Sequence, residues 1–213
     1  MIPSDATLTR EGADLRQAAP QRLLLIACGA LAREVLALQR LHGWDHMDLV
    51  CLPAILHNTP QKITPEVTAK ITENQGYYDR IFVLYADCGT GGLLQAECDR
   101  LGVTLLKGPH CYAFFEGVEA FAAREELTAF YLTDFLARQF DAFVWEPLGL
   151  DRHPQLLEMY FGHYDRLVYL AQTEDEALTA KARAAAARLG LRFERRVTGY
   201  GDLAVEMERE AGR

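Results

Sequence analysis

The sequence predicts an α/β protein with a mainly parallel sheet and helices on both faces. Three observations predict it. Short, continuous apolar runs recur along the chain, the first at residues 23–27, and such runs suit strands buried on both faces. Segments with helical spacing separate the runs, as at 30–41, where Leu31, Val35, Leu38 and Leu41 fall on one side. Glycines stand where those segments stop, at Gly43, Gly76, Gly102 and Gly190. Strands alternating with helices pack as a parallel sheet with right-handed crossovers, a Rossmann-like arrangement.

Taken in order, residues 1–20 are polar, carry two prolines, and read as a loose tail or irregular edge segment. A single α/β domain is expected over 21–213. Its first strand, 23–27, ends at Cys28-Gly29, and the helix over 30–41 follows. The apolar run 48–56 is a second strand. Thr64 is placed to cap a helix whose first residue is Pro65, where a missing N–H costs nothing. Residues 80–85 form a third strand ending in Ala86-Asp87-Cys88-Gly89-Thr90-Gly91-Gly92, before a helix of about ten residues. Residues 103–107 form a fourth strand, ending in Gly108-Pro109-His110-Cys111. A mostly helical insertion is expected over 113–161, broken by Pro147, Gly149 and Pro154. A strand at 166–171 restores the rhythm. Thr173 and Glu176 have capping-box spacing for an Ala-rich helix. A last strand at 191–197 and a short helix from Asp202 complete the chain.

The 213 residues carry 30 acidic and 22 basic side chains, a net charge of −8. A broad nucleic-acid surface needs a basic field and is not expected. The longest nearly apolar run, 23–32, is too short to span a bilayer, so no membrane partner is expected. The first twenty residues lack a basic segment followed by an apolar one, which points to a cytoplasmic protein. Five cysteines without an export signal fit a reducing compartment, and the odd count argues against a complete disulfide framework.

Ligands of open α/β sheets bind outside the carboxyl ends of the strands. Cys28 ends the first strand, His57-Asn58 follows the second, Cys88 ends the third, and His110-Cys111 follows the fourth. Thiolate and imidazole donors from four segments would meet on one rim. Such donors suit a borderline-soft divalent metal, with zinc the default and iron the alternative. Cys88, Cys111 and His57 would leave a fourth position open. His110 or Cys28 would supply a fourth donor or an outer partner, with Asn58 also in the outer shell. The same thiols read equally as small buried side chains. Cys51, inside an apolar run, and Cys98, on a helix, are read as packing.

Gly89, Thr90, Gly91 and Gly92 stand between a strand end and a helix start, where backbone N–H groups can face an anion. A tight turn needing positive φ explains the glycines equally well. The spacing is neither the dinucleotide fingerprint nor a Walker loop. In either case the helix dipole would favour the Cys88 thiolate. Asp151-Arg152-His153 begins like a corrinoid-binding motif, but Leu156 stands in the place of its glycine, and that form of binding is rejected. Asp134, Glu146 and Glu158 are read as solvated helix-face carboxylates. No Gly-x-Ser-x-Gly elbow is present.

The ordered segments LLLIACGALAREV, CLPAILHNTPQKI, YDRIFVLYADCGTGGL, GPHCYAFF, FYLTDFL and EMYFGHYDRLVYL resemble an uncharacterised prokaryotic domain-of-unknown-function family, over residues 23–197. Relatives of this kind carry a Cys-Gly turn like Cys88-Gly89 and a His-Asp-Cys triplet where this chain has Pro109-His110-Cys111. The resemblance therefore carries over His57, Asn58, Cys88 and Cys111 more directly than His110. It implies a gene neighbourhood of corrinoid-dependent methyltransferases, and hence one-carbon metabolism. Three functions are expected. The first is a zinc-dependent enzyme or accessory factor of methyl transfer, acting on a small-molecule substrate or with a corrinoid methyltransferase protein. The second is a metal-free enzyme with Cys88 as nucleophile and His110 or His57 as base. The third is a non-catalytic module that binds an anion or cofactor and docks on a methyltransferase complex.

Overall fold

A computed structural model describes residues 3–15 and 23–212. Its helices are α1 (Asp5–Arg10), α2 (Ala32–His42), α3 (Ile63–Asn74), α4 (Leu93–Leu101), α5 (Ala113–Glu116), α6 (Val118–Arg124), α7 (Asp134–Arg138), α8 (Leu157–Phe161), α9 (Glu176–Leu189) and α10 (Gly201–Ala211). Its strands are β1 (Ala13–Asp14), β2 (Leu23–Cys28), β3 (Met47–Leu52), β4 (Arg80–Leu84), β5 (Thr104–Leu105), β6 (Ala129–Leu132), β7 (Arg166–Ala171) and β8 (Arg192–Val197). The α/β class and the mostly parallel pairing agree with the sequence. The sheet does not stay in one piece. Two compact units form, Met1–Ala113 with Leu203–Arg213, and Phe114–Asp202, and each has its own sheet.

The first unit carries five strands in the order β1-β3-β2-β4-β5. β2 to β5 are parallel, and β1 runs antiparallel to β3 at one edge. β2 and β3 are buried at every residue; β2 is an unbroken apolar run for that reason, and β3 is interrupted only by Asp48, whose carboxylate accepts the Tyr78 hydroxyl at 2.9 Å. After β2 the chain steps outward to β3, then returns to β4 on the other side of β2. Right-handed crossovers put α2 on one face and α3 and α4 on the other, and α3 and α4 pack against each other. The chain reverses direction at β2, and the carboxyl ends of β2 and β4 flank that switch point, the place where open α/β sheets take their ligands.

Part of the expected tail is ordered structure. Ser4 caps α1 by accepting the Thr7 N–H at 3.1 Å, Asp5 pairs with Arg33 of α2 at 2.7 Å, and Leu8 is fully buried. Gly29 makes this packing possible, since a Cβ there would stand 2.4 Å from the Leu8 carbonyl oxygen. The rest of that tail, residues 1, 2 and 16–20, lies outside the described residues. α3 begins at Ile63, so Pro65 sits inside its first turn, where no intrahelical N–H bond is lost.

The second unit carries the parallel sheet β6-β7-β8. The expected helical insertion therefore contains a strand: Ala129-Phe130-Tyr131-Leu132 pairs with β7. The α9 cap also differs from expectation. Asp175 accepts the N–H groups of Ala177 and Leu178 at 2.8 and 3.1 Å, while Thr173 donates its hydroxyl to Asp134 at 2.6 Å. Asp134 is no solvated carboxylate. It is buried and also accepts from Tyr169, at 2.7 Å, and from the N–H groups of Gln172 and Thr173. It ties the end of β6 to the end of β7.

Candidate functional site

The first unit brings its reactive side chains together by extending the β4–β5 pairing beyond the strands. Leu106 N–H donates to Val83 O at 2.9 Å, Asp87 N–H to Gly108 O at 2.9 Å, and Cys88 N–H to Pro109 O at 3.0 Å. These bonds hold the two post-strand loops side by side. Cys88 then turns sharply, with φ of +47°, a left-handed conformation that a side chain with Cβ adopts at a cost of about 1–2 kcal/mol. The result is a contact of 3.4 Å between the Cys88 and Cys111 sulfurs.

The pair is electrostatically asymmetric. The Cys111 S–H donates to the Cys88 sulfur, and this bond, with help from His57, brings the Cys88 thiol down to about 5 against the opposing effect of burial. The same bond, together with burial, raises Cys111 well above an ordinary thiol. One proton and one negative charge are thus shared by two sulfurs. His57 reaches Cys88 from the 3₁₀ turn Ala54–Asn58 that follows β3, and its ring is otherwise exposed. Sequence-predicted Cys88, Cys111 and His57 are therefore brought together.

His110 stands near enough to feel the charges of Cys88 and His57, but stacks on Tyr112 with centroids 5.0 Å apart, and burial lowers its basicity. Cys28 lies behind Cys88, its thiol pushed up to about 12 by burial. Asn58 is exposed next to His57. Cys51 and Cys98 are buried packing residues, as expected. Tyr85 escaped the sequence reading. It is 2 % exposed and surrounded by Cys28, Cys51, Cys88 and Cys111, and among the described residues its hydroxyl meets no better acceptor than the Cys28 sulfur. A lone hydroxyl at the end of an apolar strand, between two cysteine-bearing turns, was the available signal.

The glycine turn is anion-binding in an unexpected sense: the anion is the chain's own. The Asp87 carboxylate accepts from Gly92 N–H at 2.7 Å, from the Thr90 hydroxyl at 2.8 Å and from Gly91 N–H at 3.2 Å, bonds that hold its carboxyl below the usual range. Gly89, Gly91 and Gly92 all take positive φ, so the turn reading of the glycines also holds. The Cys88 thiolate is favoured by Cys111 and His57 beside it.

A cavity of about 350 Å³ opens at the opposite, amino ends of the strands, where Arg80 and Glu210 pair at 3.1 Å, well apart from the thiols in the fold. Among the described residues no three His, Cys, Asp or Glu side chains are already grouped to hold a metal ion, and no helix is long and apolar enough to cross a membrane. Asp151, Arg152, His153, Glu146 and Glu158 are exposed.

The class defined by the fold is an α/β protein with mostly parallel sheets, and in it paired thiols and an imidazole meet beyond the carboxyl ends of the strands. The family model described as "Protein of unknown function (DUF1638)" matches residues 51–205. The chain belongs to that family. The match takes in His57, Cys88, His110 and Cys111 and leaves Cys28 outside. Neither the curated proteins nor the solved structures give a match.

Proposed function

We propose that this protein is a thiol-dependent group-transfer enzyme whose nucleophile is Cys88. The observation that carries the reading is the contact of the Cys88 sulfur with both Cys111, at 3.4 Å, and His57. The thiolate attacks an electrophilic carbon of a small molecule, the leaving group departs with the bonding pair, and the group stays on sulfur until an acceptor removes it. His57, hydrogen-bonded to the same sulfur, is placed to give the leaving group its proton. The strand order of the first unit supports a Rossmann-like ligand cleft between β2 and β4, where Cys28 and Cys88 stand. A methyl group carried on sulfur falls within this chemistry, so one-carbon transfer, with a corrinoid methyltransferase protein as donor or acceptor, is the setting proposed. Reduced thiols suit a cytoplasmic location.

A second reading is a zinc or iron site on Cys88, Cys111 and His57, with His110 as fourth donor. The gathering of these soft donors from three loops favours it. Alkylation of chelator-treated protein and elemental analysis of untreated protein separate the two. One fast-reacting cysteine, lost in Cys88→Ser, supports the nucleophile. About one metal per chain, lost in Cys88→Ser and Cys111→Ser variants that remain folded, selects the metal site. Slow alkylation of all five cysteines would overturn the nucleophile reading.

A further inference from the structure

We propose that Cys88 and Cys111 are also a reversible dithiol–disulfide couple, oxidised by small disulfide compounds, with Cys88 as the attacking and Cys111 as the resolving sulfur. The inference rests on the assignment of Cys88 as nucleophile and adds an activity to it. Four features of the fold carry it. The two sulfurs already touch, at 3.4 Å, and need close by only about 1.4 Å to reach a disulfide bond length. Backbone bonds from Asp87 and Cys88 to Gly108 and Pro109 fix the two loops beside each other, so closure needs no rearrangement of strands. The left-handed backbone of Cys88 directs its side chain to this neighbour. Cys88 is buried, as are Cys28, Cys51 and Cys98, but its partner Cys111 is only partly buried, so this pair alone has a cysteine open toward solvent. Reagent therefore approaches Cys88 from the Cys111 side.

The exchange balances in two steps. The Cys88 thiolate attacks one sulfur of the compound RSSR, forming Cys88–S–S–R and expelling RS⁻. Cys111 gives up its proton and attacks the Cys88 sulfur, forming Cys88–S–S–Cys111 and expelling the second RS⁻, which takes that proton. The protein dithiol loses two electrons, and RSSR gains them as RS⁻ and RSH. Return to the dithiol uses a small thiol by the reverse route. A closed disulfide removes the nucleophile, so group transfer and exchange are mutually exclusive states of one site.

Intact protein is equilibrated with mixtures of oxidised and reduced dithiothreitol, quenched in acid and mapped by peptide mass spectrometry. Hydroxyethyl disulfide serves as the kinetic probe. A single Cys88–Cys111 disulfide, formed in folded protein and reopened by reduced dithiothreitol, is expected. Cys111→Ser stops at a hydroxyethyl adduct on Cys88. Cys98→Ser, at a buried packing position on α4, changes the rate by less than about twofold. Mapping of the unsubstituted protein decides the matter even if a variant fails to fold. Absence of the disulfide at full oxidation, or pairing of other cysteines, overturns the inference. Fast alkylation of Cys88 with no disulfide sinks the couple alone; slow alkylation sinks the nucleophile with it.

Discussion

Cys28 and Cys88 each precede a glycine at the end of a parallel strand, yet their thiols move in opposite directions. Cys28 is governed by burial, which favours the neutral form, and rises to about 12. Cys88 is nearly as buried but receives the Cys111 S–H and the His57 contact, and falls to about 5. Chelator-treated protein should therefore lose Cys88 to iodoacetamide already at pH 6, with a rate that rises with pH through a midpoint near 5 and then levels. Cys111→Ala, which removes the largest cause of the shift, should move that midpoint upward, as should His57→Ala to a smaller extent. A profile unchanged in Cys111→Ala would show that the sulfur contact does not set the thiolate. Tyr85 offers a separate test. Its buried hydroxyl meets only the Cys28 sulfur, so Tyr85→Phe should change stability by less than about 1 kcal/mol in urea unfolding. At this scale the sequence disclosed Cys88, Cys111 and His57, because strand ends announce where side chains converge. It did not disclose Asp87, whose role depends on a loop curling back over its own N–H groups.

Among elements, the β2 and β7 strands were legible because each is an unbroken apolar run between turn residues. β6 was not. Its four residues lie in a long aromatic stretch whose pattern suits helix packing, and only partnership with β7 makes them a strand. The Thr173 capping box failed for a related reason, since the hydroxyl was taken by Asp134, 39 residues away. The turn from β4 into α4 is held by Asp87, which also sets the loop that aims Cys88. Asp87→Ala should cost about 1–2 kcal/mol, and should slow Cys88 alkylation by loosening the contact with Cys111. Unaltered stability, measured by thermal or urea unfolding, would mean that Gly91 and Gly92 find equal partners in water.

At the scale of the whole molecule, alternation of strands and helices predicted the class but not the division into two sheets. Which strands pair is a long-range choice that local periodicity does not record. The two units also differ in how they are held. The second depends on a cluster in which Arg196 bonds Glu126 at 2.8 and 2.9 Å, Glu194 at 2.6 Å and Glu116 at 3.1 Å. Arg196 above all holds the Glu126 carboxyl down at about 2. A depressed carboxylate stabilises the fold above its unfolded value, near 4.5, and that contribution fades as pH falls toward 2. Amide exchange should therefore show residues of β7 and β8 losing protection across this window. Arg196→Met should cost about 2 kcal/mol, below the figure for a fully buried pair because the guanidinium keeps some water contact. Equal acid loss in the variant and the parent would exclude the cluster as its cause.

β2 is the strand to which both β3 and β4 pair, and it precedes the family match, which begins at Cys51 inside β3. A recombinant fragment trimmed to the matched span would lack the middle of its first sheet. β4 and what remained of β3 would each expose a row of unpaired backbone groups along an apolar flank, a template for joining other copies edge to edge. Such a fragment should precipitate on expression, and the residues that rescue it are those from Leu23 to Cys28.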